Sequence, residues 1–252
     1  MSAFGAAGPR PGFKEQLDVL VSRQIAIQFG SMGTLLLMLV QAPIIGYFIG
    51  LAWRGQEAAP STYFIMSVAA VWMGCMNACT AIVQERRIYM RERMFSLDIW
   101  SYLLSKLSVL SVIGGLQCVL LLAVQGRLMY LKESLLAHVL FFLILFMTCT
   151  AACGLGLLIS SVAGTSHGAV VAVPILLLPQ AIFSEVLLQQ NIKNAVPSAI
   201  EKLTLTKWCY GALVNVHQGA EFLAQAKDLL ALAVFLGLFL ALAALKLKFD
   251  EA

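Results

Sequence analysis

One short segment of this sequence is strongly charged: Gln84–Arg93, which reads Gln-Glu-Arg-Arg-Ile-Tyr-Met-Arg-Glu-Arg. Six of these residues carry a charge, and long apolar runs lie on both sides of the segment. Side chains of both signs can form salt bridges with a folded partner, and the arginines can also bind anionic lipid headgroups. A basic loop between two spans also fixes the orientation of a membrane protein. Charge alone does not decide between a partner-binding role and these simpler roles.

The residue types that intrinsic catalysis requires are missing or isolated. No Gly-Lys pair occurs in the sequence, so these residues lack the phosphate-binding loop of Walker-type ATPases. His138, His167 and His217 are far apart in sequence and form no His-x-x-x-His pair. We therefore expect no catalytic residue, no metal site and no cofactor in this chain.

Cysteine spacing favours helix packing over metal binding or redox chemistry. Cys75 and Cys79 are four residues apart, as are Cys149 and Cys153, so each pair shares one face of a helix. No histidine or carboxylate lies close enough in sequence to complete a metal site with either pair. Cys209 stands alone in the last outer segment, so it could form a disulfide only with another chain, or remain free.

The composition indicates a membrane protein with several spans. Of the 252 residues, 60% are hydrophobic and 12% are charged, and the mean hydropathy is +0.87. A soluble domain of this length carries far more charge on its surface. Much of the net charge of +4 comes from one juxtamembrane cluster, which argues against nucleic-acid binding. We predict an all-α integral membrane protein that contacts membrane lipids and no nucleic acid.

Long uncharged runs predict six transmembrane helices, because a span needs about 20 mostly apolar residues. Residues 1–12 are expected to be disordered, and the amphipathic segment over residues 13–30 is expected to form an interfacial helix. The six-span region then occupies residues 31–252, with spans at about 31–52, 62–84, 99–125, 135–159, 168–186 and 229–245.

The loops between these spans predict an orientation. Short cationic loops are retained in the cytoplasm, so both termini are expected to be cytoplasmic. Lys106, near the cytoplasmic end of the third span, is expected to extend towards water. The outer segment at about 187–227 is too long for a turn and too apolar for a solvated loop. We interpret it as a re-entrant segment of the outer leaflet, with a small extracellular cap as the alternative.

Polar side chains inside the spans are few. Asn77, Thr80 and Gln117 favour hydrogen bonds between helices over contacts with a substrate. The buried acids that ion-coupled carriers use are nearly absent, and no polar stripe indicates a channel. The spans therefore suit an apolar cargo, or a cargo that a partner handles.

Three motifs, in chain order, resemble the membrane domain of type-2 ABC exporters. They are Trp72-x-Gly74-x-x-Asn77, then Glu-Arg-x-x-Tyr-x-Arg-Glu-Arg from Glu85 to Arg93, then Tyr102-x-x-x-Lys106. The most similar branch is that of the ABCG-like (White) half-transporters and their bacterial relatives. Residues 206–215 also resemble the segment that precedes the last span in this family. The resemblance covers nearly the whole chain and implies the six-span type-2 exporter fold.

This resemblance implies that the charged segment forms a coupling helix, at about residues 85–97, that docks on an ABC ATPase. The family often fuses the ATPase to the membrane domain, but this sequence contains none. A separate ATPase subunit that binds ATP and magnesium is therefore expected on the cytoplasmic side. The residues expected to couple to it are Glu85, Arg86, Arg87, Ile88, Tyr89, Arg91, Glu92 and Arg93, with Met94 and Phe95 adding apolar contacts.

The resemblance also implies a dimer, formed by two copies or by this chain and a similar permease subunit. The cargo would pass between the two membrane subunits, along the second and fifth spans, and a lipid-like or amphipathic cargo suits such a lining. The expected lining residues are Trp72, Met73, Met76, Asn77 and Thr80 on the second span, and Val171, Ile175 and Leu178 on the fifth.

The expected function is the permease of an ATP-driven exporter in the inner or plasma membrane, which accessory envelope proteins could join. The alternative is a non-transporting scaffold or anchor subunit of an envelope complex. A scaffold has no reason to retain the coupling-helix pattern, so this pattern favours the exporter.

Overall fold

The computed structural model describes residues 12–56, 58–94, 97–129, 134–184, 200–219 and 222–250, the side chains of 222–224 excepted. Within these ranges the chain is helical and contains no strand. A single 3-10 turn at Val83–Glu85 precedes the fourth helix. The helices are α1 (Phe13–Gly30), α2 (Met32–Ala52), α3 (Pro60–Ala78), α4 (Arg86–Arg93), α5 (Ile99–Leu128), α6 (Leu135–Val162), α7 (Ser166–Ile182), α8 (Leu205–His217) and α9 (Phe222–Phe249).

Five described helices are long and apolar enough to cross a membrane: α2, α3 with the turns that follow it, α5, α6 and α9. They coincide with five of the six predicted spans, and the all-α membrane fold is confirmed. Helix α7 lies where the fifth span was predicted but has 17 residues, the lower end of the range of about 17 to 25 that crosses a bilayer. The second predicted span ends earlier than expected, because α3 stops at Ala78 and turns follow.

Local sequence signals set where the helices begin. Pro60 occupies the first turn of α3, where its missing N–H costs no hydrogen bond. The side chains of Asp98, Ser134, Thr165 and Thr204 cap α5, α6, α7 and α8, each accepting a hydrogen bond from a backbone N–H in the first turn.

The contact between α3 and α6 forms the centre of the bundle. A Cβ atom on Gly74 would lie 2.2 Å from the carbonyl oxygen of Cys149, and one on Gly156 would lie 2.7 Å from that of Cys75. Only glycine allows the two backbones to approach this closely. Cys75 and Cys149 are themselves buried at this contact, as their predicted packing role requires.

Amide side chains connect α2, α3 and α5 inside the bundle. Asn77 Nδ2 donates a hydrogen bond to Gln117 Oε1 over 2.6 Å, and Gln117 Nε2 donates to the backbone oxygen of Met38, also over 2.6 Å. Both amides are almost fully buried. The predicted hydrogen bond between Asn77 and Gln117 is therefore confirmed. Gly46 and Gly50 of α2 also lie against α5, where their small size permits close helix approach.

The bundle has two chemically different ends. We call the end that contains α4, the start of α5 and the end of α9 the charged end, and the opposite end the far end. At the far end, the hydroxyl of Tyr63 at the start of α3 lies 3.0 Å from Nδ1 of His217 at the end of α8. Helix α8 belongs to the predicted outer segment at about 187–227, of which residues 187–199 and 220–221 lie outside the described residues. The predicted disorder of residues 1–12 also falls outside them, apart from Gly12.

Candidate functional site

Helix α4 presents two different faces. Tyr89 is fully buried, and Glu85, just before the helix, and Glu92 are partly buried on the same inward side. The outward side chains recur at the spacing of one helix face. They are those of Arg87, Ile88, Arg91 and Met94, all of them exposed. The predicted coupling helix is therefore shorter than expected, ending at Arg93, while residues 95–96 lie outside the described residues.

The inward face of α4 begins with a buried ion pair to α5. Lys106 is 1% exposed, and its Nζ donates hydrogen bonds to Glu85 Oε2 over 2.6 Å and to Gln24 Oε1 of α1 over 2.8 Å. Burying an ammonium group is costly, and a carboxylate paired with it offsets much of that cost. The expectation that Lys106 extends towards water is wrong, because Glu85 reaches it inside the protein.

Arg23 of α1 extends this pair into a chain of alternating charges. Its guanidinium donates a hydrogen bond to Glu92 Oε1 and lies 3.9 Å from Glu85 Oε2. The hydrogen bond to Glu92 raises the pKa of Arg23 above its ordinary value, although burial opposes this. Arg23 lies between the two carboxylates of Glu85 and Glu92, and Lys106 binds the other side of Glu85. We call these four residues the charge network, and it joins α1, α4 and α5.

Two tyrosine rings pack against each other beside the charge network. The rings of Tyr89 and Tyr102 are 4.7 Å apart between centroids, and Lys106 Nζ lies 5.2 Å from the ring centroid of Tyr102. Tyr102 and Lys106 are four residues apart, so both project from α5 towards α4. The expectation that Tyr89 packs into a groove of the ATPase is therefore wrong, since its side chain is enclosed by this chain's own helices. Likewise, the carboxylates of Glu85 and Glu92 bind Lys106 and Arg23 of this chain rather than facing outward.

Arg86 connects the start of α4 to two further helices. Its guanidinium donates hydrogen bonds to the backbone oxygens of Ala163 over 3.1 Å and Ser161 over 3.4 Å, at the end of α6. It also forms an ion pair with Asp250 at the end of α9. Hydrogen bonds from Lys246 and then Arg86 lower the pKa of Asp250, so its carboxylate stays charged at neutral pH. Together with the charge network, Arg86 joins α4 to four helices of the bundle.

The turn between α3 and α4 is held by Ser160 of α6. Its Oγ accepts hydrogen bonds from the backbone N–H groups of Ile82 over 2.9 Å and Val83 over 3.0 Å. These groups lie outside regular helix and would otherwise lack a partner in a buried location. The path of the chain into α4 is thus fixed by a side chain from a distant span.

The residues predicted to line a cargo path divide into two groups. Met73 and Asn77 are fully buried against other helices of the same chain, so their predicted place on a lining face is wrong. The other side chains are exposed or half-buried, because they lie on the outer surfaces of α3, of the turn that follows it and of α7. Trp72, Val171, Ile175 and Leu178 are exposed, and Met76 and Thr80 are half-buried.

The structure also changes the interpretation of Cys209. Its side chain is fully buried where α8 packs against α3 and α6, beside Ser67 and Thr148. All six cysteines are buried and free. The predicted disulfide to another chain is therefore not available to Cys209 in this conformation.

The turn between α6 and α7 reads Gly-Thr-Ser-His-Gly over residues 164–168, which matches the Gly-x-Ser-x-Gly pattern of hydrolases. In hydrolases that pattern places a nucleophile on a sharp turn between a strand and a helix. Here it joins two helices, and Thr165 Oγ1 caps α7 by accepting a hydrogen bond from Gly168 N. The motif therefore serves as the N-terminal cap of α7 and does not form the strand-to-helix turn of a hydrolase.

Arg23, Gln24 and Asp250 belong to the site, although no sequence pattern predicted them. A signal for an ion pair existed at Lys106, which is a lone charge inside an apolar run and favours a carboxylate partner. The preceding loop offers Glu85, Glu92 and Asp98, and only the structure shows that Glu85 pairs with Lys106 while Arg23 pairs with Glu92. Nothing local in the sequence indicates that Asp250 meets Arg86, because 164 residues separate them.

The comparison with protein families agrees with this architecture. The family described as ABC-2 type transporter matches residues 15–217, from α1 to the end of α8. No curated protein matches the chain. The matched range covers most of the chain and includes the charge network and α4. This chain is therefore a multi-pass membrane protein that belongs to the ABC-2 type transporter family, in which it represents a permease subunit.

Proposed function

We propose that this chain is the permease of an ATP-driven exporter, that it works as a dimer, and that α4 couples it to a separate ATPase. One observation carries the proposal. Helix α4 is bonded on its inward side to α1, α5, α6 and α9, while its outward side remains exposed. Such a helix is suited to receive a force from a soluble partner and pass it to the spans.

The bonds on the inward face make this transmission physically reasonable. Ion pairs and hydrogen bonds between buried or partly buried side chains keep the helices that carry them linked. Glu85 links the beginning of α4 to Lys106 on α5, and Glu92 links its last turn to Arg23 on α1. A displacement of α4 would therefore move α1 and α5 with it, rather than being absorbed by a flexible loop.

The outward face supplies the contact surface for the partner. Arg87 and Arg91 contribute positive charge, and Ile88 and Met94 contribute exposed apolar area. Interfaces commonly combine an apolar centre with charges that orient the partner. A groove on the ATPase that carries carboxylates around an apolar floor would fit this face.

The exposed apolar surfaces of α3 and α7 support the dimer and its cargo path. Val171, Ile175 and Leu178 recur on one face of α7, and Trp72 is exposed on α3. A second copy, or a similar permease, placed against these surfaces would enclose an apolar path bordered by Met76 and Thr80. Such a path suits a lipid-like or amphipathic cargo.

The partner would hold the nucleotide. A phosphate-binding loop is missing from these 252 residues, so ATP and magnesium are assigned to the ATPase subunit. Because ATP is available in the cytoplasm, the charged end would face the cytoplasm, together with both described ends of the chain. In this proposal the protein lies in the inner or plasma membrane, and the far end faces outward.

The proposal is tested by purifying the chain from its native membrane in mild detergent and identifying co-purifying proteins by mass spectrometry. We expect a Walker-type ATPase in near-equal amount. Arg87→Glu combined with Arg91→Glu should remove that ATPase, because both substitutions reverse charges on the outward face of α4. Lys14→Glu combined with Arg54→Glu is the matched control, since it makes the same charge change at exposed positions away from α4.

Two outcomes would contradict the proposal. Absence of any ATPase across several mild detergents would favour the membrane scaffold that the sequence left as an alternative. An ATPase retained equally by the wild type and the Arg87/Arg91 variant would show that the partner binds elsewhere.

A further inference from the structure

A cleft of about 530 Å³ lies at the far end, between α8 and the first turns of α9. Its volume falls within the range of roughly 300 to 1,000 Å³ that is typical of small-ligand sites. The lining combines cations, aromatic rings and one carboxylate. The residues that carry the argument are Lys202, Lys207, Trp208, Tyr210, Lys227 and Asp228.

The charges of this cleft are unbalanced in favour of cations. Three ammonium groups face one carboxylate in the lining, and that carboxylate, of Asp228, accepts a hydrogen bond from Asn215 Nδ2 over 3.0 Å. Lys207 lies 3.7 Å from Glu201. Lys202 and Lys227 are exposed, and neither forms an ion pair within the described part of the chain. The cleft therefore retains positive charge that an anionic ligand would neutralise.

The position of the cleft relative to the apolar part of α9 indicates where such a ligand would come from. Lys227 lies at the start of the apolar segment Gln225–Phe249, which is long enough to cross a membrane. The cleft thus lies at the level where lipid headgroups are found, and tryptophan and tyrosine are typical of that level. Trp208 is fixed there by a hydrogen bond from its Nε1 to the backbone oxygen of Lys202 over 3.0 Å.

We propose that this cleft binds a phosphate group, carried either by a lipid headgroup or by a soluble anion. Lysine ammonium groups bind phosphate oxygens as point charges, and cationic side chains at the membrane surface attract anionic lipids. Trp208 and Tyr210 would pack against the apolar part of a lipid ligand. The site lies at the end of the molecule opposite α4, so it is distinct from the surface proposed for the ATPase.

The experiment measures binding to the purified full chain in non-ionic detergent, using dihexanoyl phosphatidic acid as the lipid probe and inorganic phosphate as the soluble probe. Lys202→Gln combined with Lys227→Gln should weaken binding by about tenfold or more, from the loss of two charge-assisted contacts. Lys202→Arg combined with Lys227→Arg should retain binding. Lys14→Gln combined with Lys248→Gln removes the same charge at the charged end and should bind like the wild type. Unchanged melting temperatures exclude misfolding as the cause.

The two probes distinguish the sources of the phosphate. Competition by inorganic phosphate at millimolar concentration would assign the site to a soluble anion, and binding of the lipid without such competition would assign it to a headgroup. Equal affinity of the wild type and the glutamine variant for both probes would overturn the proposal, as would a wild type that binds neither. The readout needs no ATPase, so its failure leaves the proposed coupling role unaffected.

Discussion

The partly buried charge network and the buried contact between α3 and α6 are held together by opposite means. At the charged end, long side chains from α1, α5 and the α4 region meet through ion pairs. At the centre, Gly74 and Gly156 allow backbone to meet backbone with almost no side chain between. Charged side chains specify the first contact, and glycines without a Cβ atom specify the second.

This difference separates two roles within one bundle. A glycine contact has one geometry, because a shift in either helix opens a gap or creates an overlap. Ion pairs between long side chains tolerate small displacements while keeping their members linked. We infer that α3 and α6 form the fixed part of the subunit, and that the charge network is the part that can follow a moving partner.

Breaking the charge network at its centre should have the largest effect on stability. Glu85→Gln leaves Lys106 charged and buried without its carboxylate, which should cost about 3 kcal/mol. Thermal unfolding in mild detergent measures the loss. Adding Lys106→Met should restore most of the stability, because the unpaired charge is then gone. A single variant as stable as the wild type would mean that Gln24 alone satisfies the ammonium group.

Filling the glycine contact should have the next largest effect. Gly74→Ala places a Cβ 2.2 Å from the carbonyl oxygen of Cys149, and the forced separation of α3 and α6 should cost about 2 kcal/mol. Gly33→Ala is the matched control, since a Cβ there meets no atom within 4 Å. Equal melting temperatures for the two variants would argue against a rigid centre.

The amide contact should matter less than either. Gln117→Met removes the partner of Asn77 and should cost about 1 kcal/mol, the scale of hydrogen bonds between membrane helices. The same thermal unfolding assay applies. If instead the melting temperature is unchanged while cargo export falls, Gln117 contacts the cargo and its structural role is refuted.

Cys209→Ser should have the smallest effect on assembly. Because the thiol is buried against α3 and α6, the wild type and the variant should show identical bands on non-reducing gels. A dimer band that is present in the wild type, lost on reduction and missing from the variant would show that α8 leaves its position in the assembled transporter.

The sequence predicted the spans well and the faces of the site poorly, for a physical reason. Span positions follow from long uncharged runs, and helix starts follow from local caps such as Asp98 and Thr165. The inward face of α4 depends on contacts that no local pattern contains. Arg23 and Glu92, for example, are 69 residues apart in the chain.

Burial was mispredicted for the same reason. Tyr89 lies in a strongly charged segment and was expected to contact the ATPase. Cys209 lies in a segment between spans and was expected either to pair with another chain or to remain free. Tyr102 covers the first, and α3 and α6 cover the second. Asn77 shows the opposite case, because a buried amide in a span must find a polar partner. The sequence offered Thr80 and Gln117, and Asn77 bonds to Gln117.

The most direct test of the coupling role is the rate of ATP hydrolysis by the partner ATPase, reconstituted in liposomes with this chain. The wild type and the Lys14→Glu/Arg54→Glu control should both stimulate hydrolysis, whereas the Arg87→Glu/Arg91→Glu variant, inserted and folded equally well, should not. Equal stimulation by all three would contradict the assignment of α4 as the element that couples the ATPase to the membrane spans.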